Sequence, residues 1–253
     1  TNVADVFFSL GALTTPLLAA QMVRGETYRG LLFLIAGVAT LAGAFCLLLP
    51  SASLMPVAEA PAEGLSFLQH PRIWLCGIAL CLFGPIETTF ATWTSSYLVE
   101  KGYSDRFGTR MISGFWGASM ISRLVVAFLL PLLWFSIEAT WIVLVLSVVA
   151  TLVTLLIVIV RSRRAAPWLV VAAGFACGPL FPTVLAILFL GFAPSMHGRA
   201  LGTTLAIGNL GYTLTPLIVG LVARKTSVQR SFIVLTLSGA GLIAVAIALL
   251  LHV

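Results

Sequence analysis

The sequence predicts an all-α membrane protein, and three observations carry that prediction. Hydrophobic residues make up 60% of the chain and charged residues 9%, whereas soluble domains carry roughly a quarter charged residues. Mean hydropathy is accordingly high, at +1.12. The apolar runs are about 20 residues long, the length a helix needs to cross ~30 Å of hydrocarbon. They also lack the in-out alternation of barrel strands, so the spanning elements are helices.

Eight transmembrane helices are expected, at 2–22, 28–49, 72–99, 107–131, 138–160, 167–191, 197–222 and 229–251. Charged residues, prolines and glycines bound them, as chain punctuation requires. The first stops before Arg24 and Glu26, and the second at Pro50. The third begins beside Pro71 and Arg72 and ends at Lys101, and the fourth follows Asp105 and Arg106. The fifth lies between Glu138 and Arg161, and the sixth opens on Pro167. The seventh follows Pro194 and runs to Arg224, and the eighth begins beside Arg230. Every connection is short except "PSASLMPVAEAPAEGLSFLQHP", Pro50 to Pro71, whose Pro, Ala, Ser and Glu content suits a linker between two bundles.

An internal repeat explains that division. "SLGALTTPLL", Ser9 to Leu18, returns as "NLGYTLTPLI", Asn209 to Ile218. Setting residue n against n+200 pairs Gly11 with Gly211, Thr15 with Thr215, Pro16 with Pro216 and Arg24 with Arg224. The two phrases lie in the first and seventh expected helices, so the repeat unit is six helices and the complete architecture twelve. On this reading, residues 1–50 are the last two helices of an N-terminal bundle, 51–71 the interbundle loop and 72–253 a C-terminal six-helix bundle, with four earlier helices lacking.

At this point the sequence resembles the major facilitator superfamily, and its local phrases resemble the fucose permease and related sugar:proton symporter branch. "TNVADVFFSLGALTTP" is similar to a helix of that branch carrying "FFGLGALLGP". Glu87, Trp93 and Tyr97 in "ETTFATWTSSYL" match an E-x-x-x-x-x-W-x-x-x-Y pattern. "GFWGASMISRLV" supplies Trp116 and Arg123 of a Trp and G-R-L pattern, with Ser122 in place of the Gly. "GPLFPT" and "GNLGY" resemble "GPIFPT" and "GNLGG". The resemblance implies a two-bundle transporter of a sugar-like solute working by alternating access with protons. It also implies a monomer in the cell membrane that needs no cofactor. The first helix departs from the antiporter signature G-P-x-x-G-G, having Thr15, Ala19 and Ala20 at its glycine positions. A drug or organic-acid transporter, or a truncated membrane protein that does not transport, stands as the alternative.

The residues themselves name the candidate site. Glu87 falls mid-helix, where an ionised carboxylate belongs inside a bundle or a wet cavity. It either carries a proton, accepts hydrogen bonds from substrate hydroxyls, or forms a fixed pair with Arg123. Arg123 either contacts substrate, gates, or snorkels to an interface. Trp93 and Tyr97 share one helical face about 120° from Glu87, and serve a sugar or an aromatic belt at the interface. Trp116, Phe181, Asn209 and Tyr212 complete the candidates, while Asp5 reads as an interfacial charge. Gly84, Pro85, Gly178, Pro179, Pro182, Gly211 and Pro216 interrupt or thin the helices and serve as hinges or packing points. Gly174-x-x-x-Gly178 and Gly198-x-x-x-Gly202 are expected to bring helices close.

The remaining chemistry is sparse. Cys46, Cys76, Cys81 and Cys177 lie singly within spans, without metal-ligand spacing, and read as apolar core thiols. Nothing among the spans reads as a nucleophile and base, a metal cluster or a phosphate loop, so no enzyme is expected. The +6 charge resides in loops, and no nucleic-acid surface is expected beside the lipid bilayer. Connections after the first, third, fifth and seventh helices hold 2, 3, 3 and 3 Lys and Arg, together 11 of the 14. Charge alone places that side in the cytoplasm, whereas the family's topology places it outside.

Overall fold

The computed structural model describes residues 2–22, 28–48, 66–129 and 137–252. Helices α1 (Asn2–Met22) and α2 (Tyr28–Leu48) come first. A 3-10 turn, Ser66–Gln69, then leads through His70 into α3 (Pro71–Glu100). Next are α4 (Asp105–Leu124), continued by a π-helical stretch over Val125–Leu129, and α5 (Ala139–Ile159). Helices α6 (Ala166–Cys177) and α7 (Leu180–Leu190) follow, then α8 (His197–Lys225), the single turn α9 (Val228–Ser231) and α10 (Ile233–His252). Most of the expected 51–71 linker and the side chain of Asp5 lie outside the described residues.

Among the described residues, six helices are long and apolar enough to cross a bilayer: Pro71–Glu100, Asp105–Phe128, Ala139–Ile159, Ala166–Leu190, Pro194–Lys225 and Val228–His252. In α1 and α2 the described apolar stretches are shorter, Phe8–Leu18 and Leu32–Phe45, so six of the eight expected spans meet both criteria among the described residues. No strand occurs among the described residues. Large apolar side chains such as Phe33, Leu47, Trp168 and Leu190 are exposed on the outer faces. A water-soluble domain rarely shows so much contiguous apolar surface. The chain is a multi-pass helical membrane protein.

Two expected spans are subdivided. The one at 167–191 breaks between α6 and α7, because Pro179 and Pro182 have no N–H to give the preceding turn. The final one starts with the separate turn α9, whose first residues are capped twice. Ser227 Oγ accepts from the Arg230 N–H at 3.1 Å, and Glu100 Oε2 accepts from the Val228 N–H at 2.7 Å. Lys101 and Gln229 join this end at 2.7 Å, and Gln229 in turn donates to the carbonyls of Ile157 and Val160.

Helix α3 is central, packed by α8, α4, α10, α7 and α6. Helix α1 lies against α4, and α5 against α10. Phe90 anchors the core, stacked on Phe115 at 5.2 Å and edge-on to Phe232 at 5.3 Å. Backbones approach where side chains vanish. A Cβ on Gly174 or Gly178 would overlap the carbonyls of Phe115 and Ser119 in α4, and one on Gly211 the carbonyl of Cys81 in α3. That carbonyl is one that Pro85 leaves without its i+4 donor, so α8 closes over a break in α3. Gly11, the repeat partner of Gly211, faces open space, and so do Gly198 and Gly202. The second of the two expected small-residue contacts therefore does not form among the described residues.

These surroundings separate glycines that look alike in sequence. Gly211→Ala is expected to lower stability in detergent by about 1–3 kcal/mol through overpacking. Gly202→Ala is expected to leave it unchanged or raise it by up to about 1 kcal/mol through helix propensity. Unfolding midpoints of the two variants in mild detergent check both.

Candidate functional site

The chemistry gathers around two buried charges. Arg123, near the end of α4, is 2% exposed, and Glu87, midway along α3, is 8% exposed. Arg123 Nη2 lies 3.7 Å from Glu87 Oε1. At that distance the attraction is about 4 kcal/mol for an effective dielectric of ~20. Desolvating two ions costs several kcal/mol each, so the pair needs further hydrogen bonds to hold it.

Those bonds come from three other elements. Tyr212 on α8 donates its hydroxyl to Glu87 Oε2 at 3.3 Å. Arg123 Nε donates to the carbonyl of Gly178 at 2.7 Å, and Nη1 donates to Ser9 Oγ of α1. The Gly178 carbonyl is available for a sequence reason. In a continuous helix it would accept the N–H of the residue four places on, which is Pro182, and proline has none. The "GPLFP" phrase thus creates a main-chain acceptor inside the membrane, and the guanidinium takes it.

Two cavities open beside the pair. The smaller, about 280 Å³, is lined by Phe8, Glu87, Arg123, Phe181 and Tyr212. The larger, about 590 Å³, is lined by Phe8, Gly11, Ala12, Thr15, Pro16, Ala91, Ile112 and Trp116. Phe8 borders both, with its ring edge-on to Trp116 at 5.5 Å. The Tyr212 ring occupies the notch left by Gly84, where a Cβ would collide with it. Thr88 Oγ1 donates to the Gly84 carbonyl at 2.9 Å within the same proline-interrupted turn.

The structure therefore brings together Glu87, Arg123, Phe181 and Tyr212, with Trp116 on the adjoining cavity. It leaves Trp93, Tyr97 and Asn209 apart. Trp93 covers Gly220 of α8, with ring carbon Cζ2 3.1 Å from where a Cβ would sit. Tyr97 is fully buried against Phe232, ring centres 5.5 Å apart, which also removes it from an aromatic belt. Asn209 is exposed on α8. The helical offset from Glu87 explains the first two, because residues six and ten places on turn toward other neighbours. Of the breaks, Gly84, Pro85, Gly178 and Pro182 adjoin the site, Pro179 separates α6 from α7, and Gly211 serves close packing. Pro216 lies within α8, where the helix continues through it.

Sequence reasoning passed over Phe8, Ser9 and the Gly178 carbonyl. Ser9 opens the repeated phrase, and its n+200 counterpart is the exposed Asn209, so the repeat concealed its role. Cys177 adjoins the pair and is in electrostatic reach of both charges. Cys76 is buried and Cys81 half-buried, while the side chain of Cys46 lies outside the described residues.

No protein-family model matches the chain. It is 25% identical to Bypass of stop codon protein 6 of Saccharomyces cerevisiae over 186 residues, covering 70% of this chain and 37% of that protein. The chain thus spans well under half the length of that relative, whose name states no activity.

Removing one partner of the pair strands the other in an apolar interior. Arg123→Met is expected to cost about 3–5 kcal/mol of stability. Adding Glu87→Gln to that variant is expected to recover much of the loss, because no charge then remains to be buried. Denaturant unfolding of the single and double variants in detergent measures the coupling.

Proposed function

We propose that the chain belongs to a secondary transporter, moving a small solute across a membrane by alternating access with protons carried at Glu87. The observation that carries this reading is a buried acid and base that line a cavity midway along membrane-spanning helices. Charges at that depth are expensive and mark solute or proton paths. The resemblance to the major facilitator superfamily supports the same reading. With it come the twelve-helix, two-bundle architecture, the division at 51–71, a monomeric full-length protein and a cell-membrane location.

The geometry supplies a working cycle. Arg123 links α1, on the N-terminal side of the expected division, to α3, α4 and the α6–α7 break on its other side. Opening the cavity toward either side of the membrane requires that link to rearrange. Gly84-Pro85 and Gly178-Pro179 lie next to it and supply the places where α3 and the α6–α7 pair bend. A proton arriving on Glu87 removes its hold on Arg123, and a bound solute takes up the freed hydrogen bonds. Solute and proton thereby bias the same two-state element.

A sugar is the solute that the sequence favours, and a drug-like amphiphile or an organic acid is the alternative. The wall of the larger cavity weighs on that choice, since the one hydroxyl among its described residues, Thr15 Oγ1, already donates to the Gly11 carbonyl at 2.8 Å. A pyranose would find few partners there.

The test is uptake by the full-length gene product in proteoliposomes under an imposed pH gradient. Labelled glucose, benzoate and a cationic amphiphile would be compared. Gradient-driven accumulation of any one is expected, and Glu87→Gln is expected to abolish accumulation while leaving solute exchange. Wild-type behaviour of Glu87→Gln would make the pair structural, and absence of all uptake would leave a membrane protein that does not transport.

A further inference from the structure

We propose that the groove between α3, α5, α7 and α10, at the end of the bundle opposite Lys101, seats the head group of an aminophospholipid, with its phosphate on Arg72 and its ammonium on Glu138. The proposal does not rest on the transport reading, only on the helices lying in a bilayer.

The position of the groove is the first argument. Its volume is about 360 Å³, within the roughly 300–1,000 Å³ of small-molecule sites. Arg72 is the second residue of α3 and Glu138 directly precedes α5, while Leu190 ends α7 and Leu249 lies in the last turn of α10. These helix ends meet at one level. Trp74 and Trp141, in the first turns of α3 and α5, are both about half exposed, as rings at a membrane interface are. Lipid phosphates and amines lie at that depth.

The lining is the second argument. It joins Arg72 and Glu138 to the apolar side chains of Ile187, Leu190, Leu249 and Leu250. Two contacts position Arg72. Its Nη1 donates to the Ile187 carbonyl at 3.3 Å, and its stem packs over Gly191, where a Cβ would collide with Cδ and Nη1. A guanidinium is a planar fork of donors that matches phosphate oxygens. Glu138 starts α5 through its main chain, its carbonyl accepting from the Trp141 N–H at 3.0 Å, and its carboxylate makes no capping bond. The residue is exposed, so its charge is presented to the interface instead of to the helix.

These two charges choose among lipids. A phosphodiester without an amine suits Arg72 but meets Glu138 as a like charge. A phosphoethanolamine offers an opposite charge to each, and its ammonium donates N–H bonds that a carboxylate accepts. Choline carries the charge without the N–H. From the groove outward, Trp141, Val145, Val148 and Leu152 form an exposed stripe on α5, at the i, i+4, i+7 and i+11 spacing of one helical face. An acyl chain lies along it.

Native mass spectrometry of the full-length gene product in mild detergent tests this, with dioctanoyl phosphatidylethanolamine, phosphatidylcholine and phosphatidylglycerol titrated in turn. The wild type is expected to hold phosphatidylethanolamine about tenfold more tightly than either of the others, a factor that one charge-assisted contact supplies. Glu138→Gln is expected to lose that preference while holding phosphatidylglycerol at least as tightly as the wild type does. Glu138→Lys is expected to invert the preference in favour of phosphatidylglycerol, a gain that misfolding does not produce. Arg72→Gln is expected to weaken all three. Wild-type protein that holds either of the other lipids as tightly as phosphatidylethanolamine would overturn the proposal. A preference for phosphatidylethanolamine that survives in both Glu138 variants would overturn it too, by placing the amine elsewhere.

Discussion

The constraint that organises this protein is the burial of one guanidinium. Arg123 is 2% exposed, and a cation removed from water must be met by a counter-charge and by acceptors for its N–H groups. Each requirement is filled from a different element: the carboxylate from α3, a hydroxyl from α1 and a main-chain carbonyl from the α6–α7 break. Helix α8 enters at one remove, through the Tyr212 hydroxyl on Glu87. Apolar packing brings these helices together without choosing their rotation. The polar set chooses it, because only one rotation of each helix presents the needed group.

The main chain follows the same logic. Inside a bilayer an orphaned carbonyl is costly, and each intrahelical proline makes one. The carbonyl left by Pro182 is taken by Arg123, and the one left by Pro85 is covered by the glycine backbone of α8 at Gly211. Close Cα–H contacts to such an oxygen give back part of the lost interaction. Pro85 and Gly211 therefore work as a pair across α3 and α8.

Helical class and spans were legible because length and apolarity add up along the chain without reference to neighbours. Glu87 and Arg123 were legible for a related reason, since a charge amid apolar residues stands out in one dimension. The facing of Trp93, Tyr97 and Asn209 was not, because it depends on which helix covers which side. Trp93 meets Gly220 and Tyr97 meets Phe232, and no local pattern names those partners. Ser9 was hidden by its ordinariness, and the Gly178 acceptor by not being a side chain at all, although the proline four residues on was a readable sign of it. The extent of α1 and α2 as spans rests on helix ends that composition alone bounds loosely.

A ligand supplied by the main chain has a heritable consequence. Replacing the side chain at position 178 does not delete the oxygen that Arg123 Nε holds, and a larger side chain there meets the Ser119 backbone instead. The encoded part of this contact sits four codons downstream, in a proline that touches the arginine by no bond of its own. Divergent copies of the gene would thus preserve the arginine's anchor by keeping an absence, the missing N–H, and a change at that distant codon would alter the guanidinium's surroundings while every residue that binds it stayed the same.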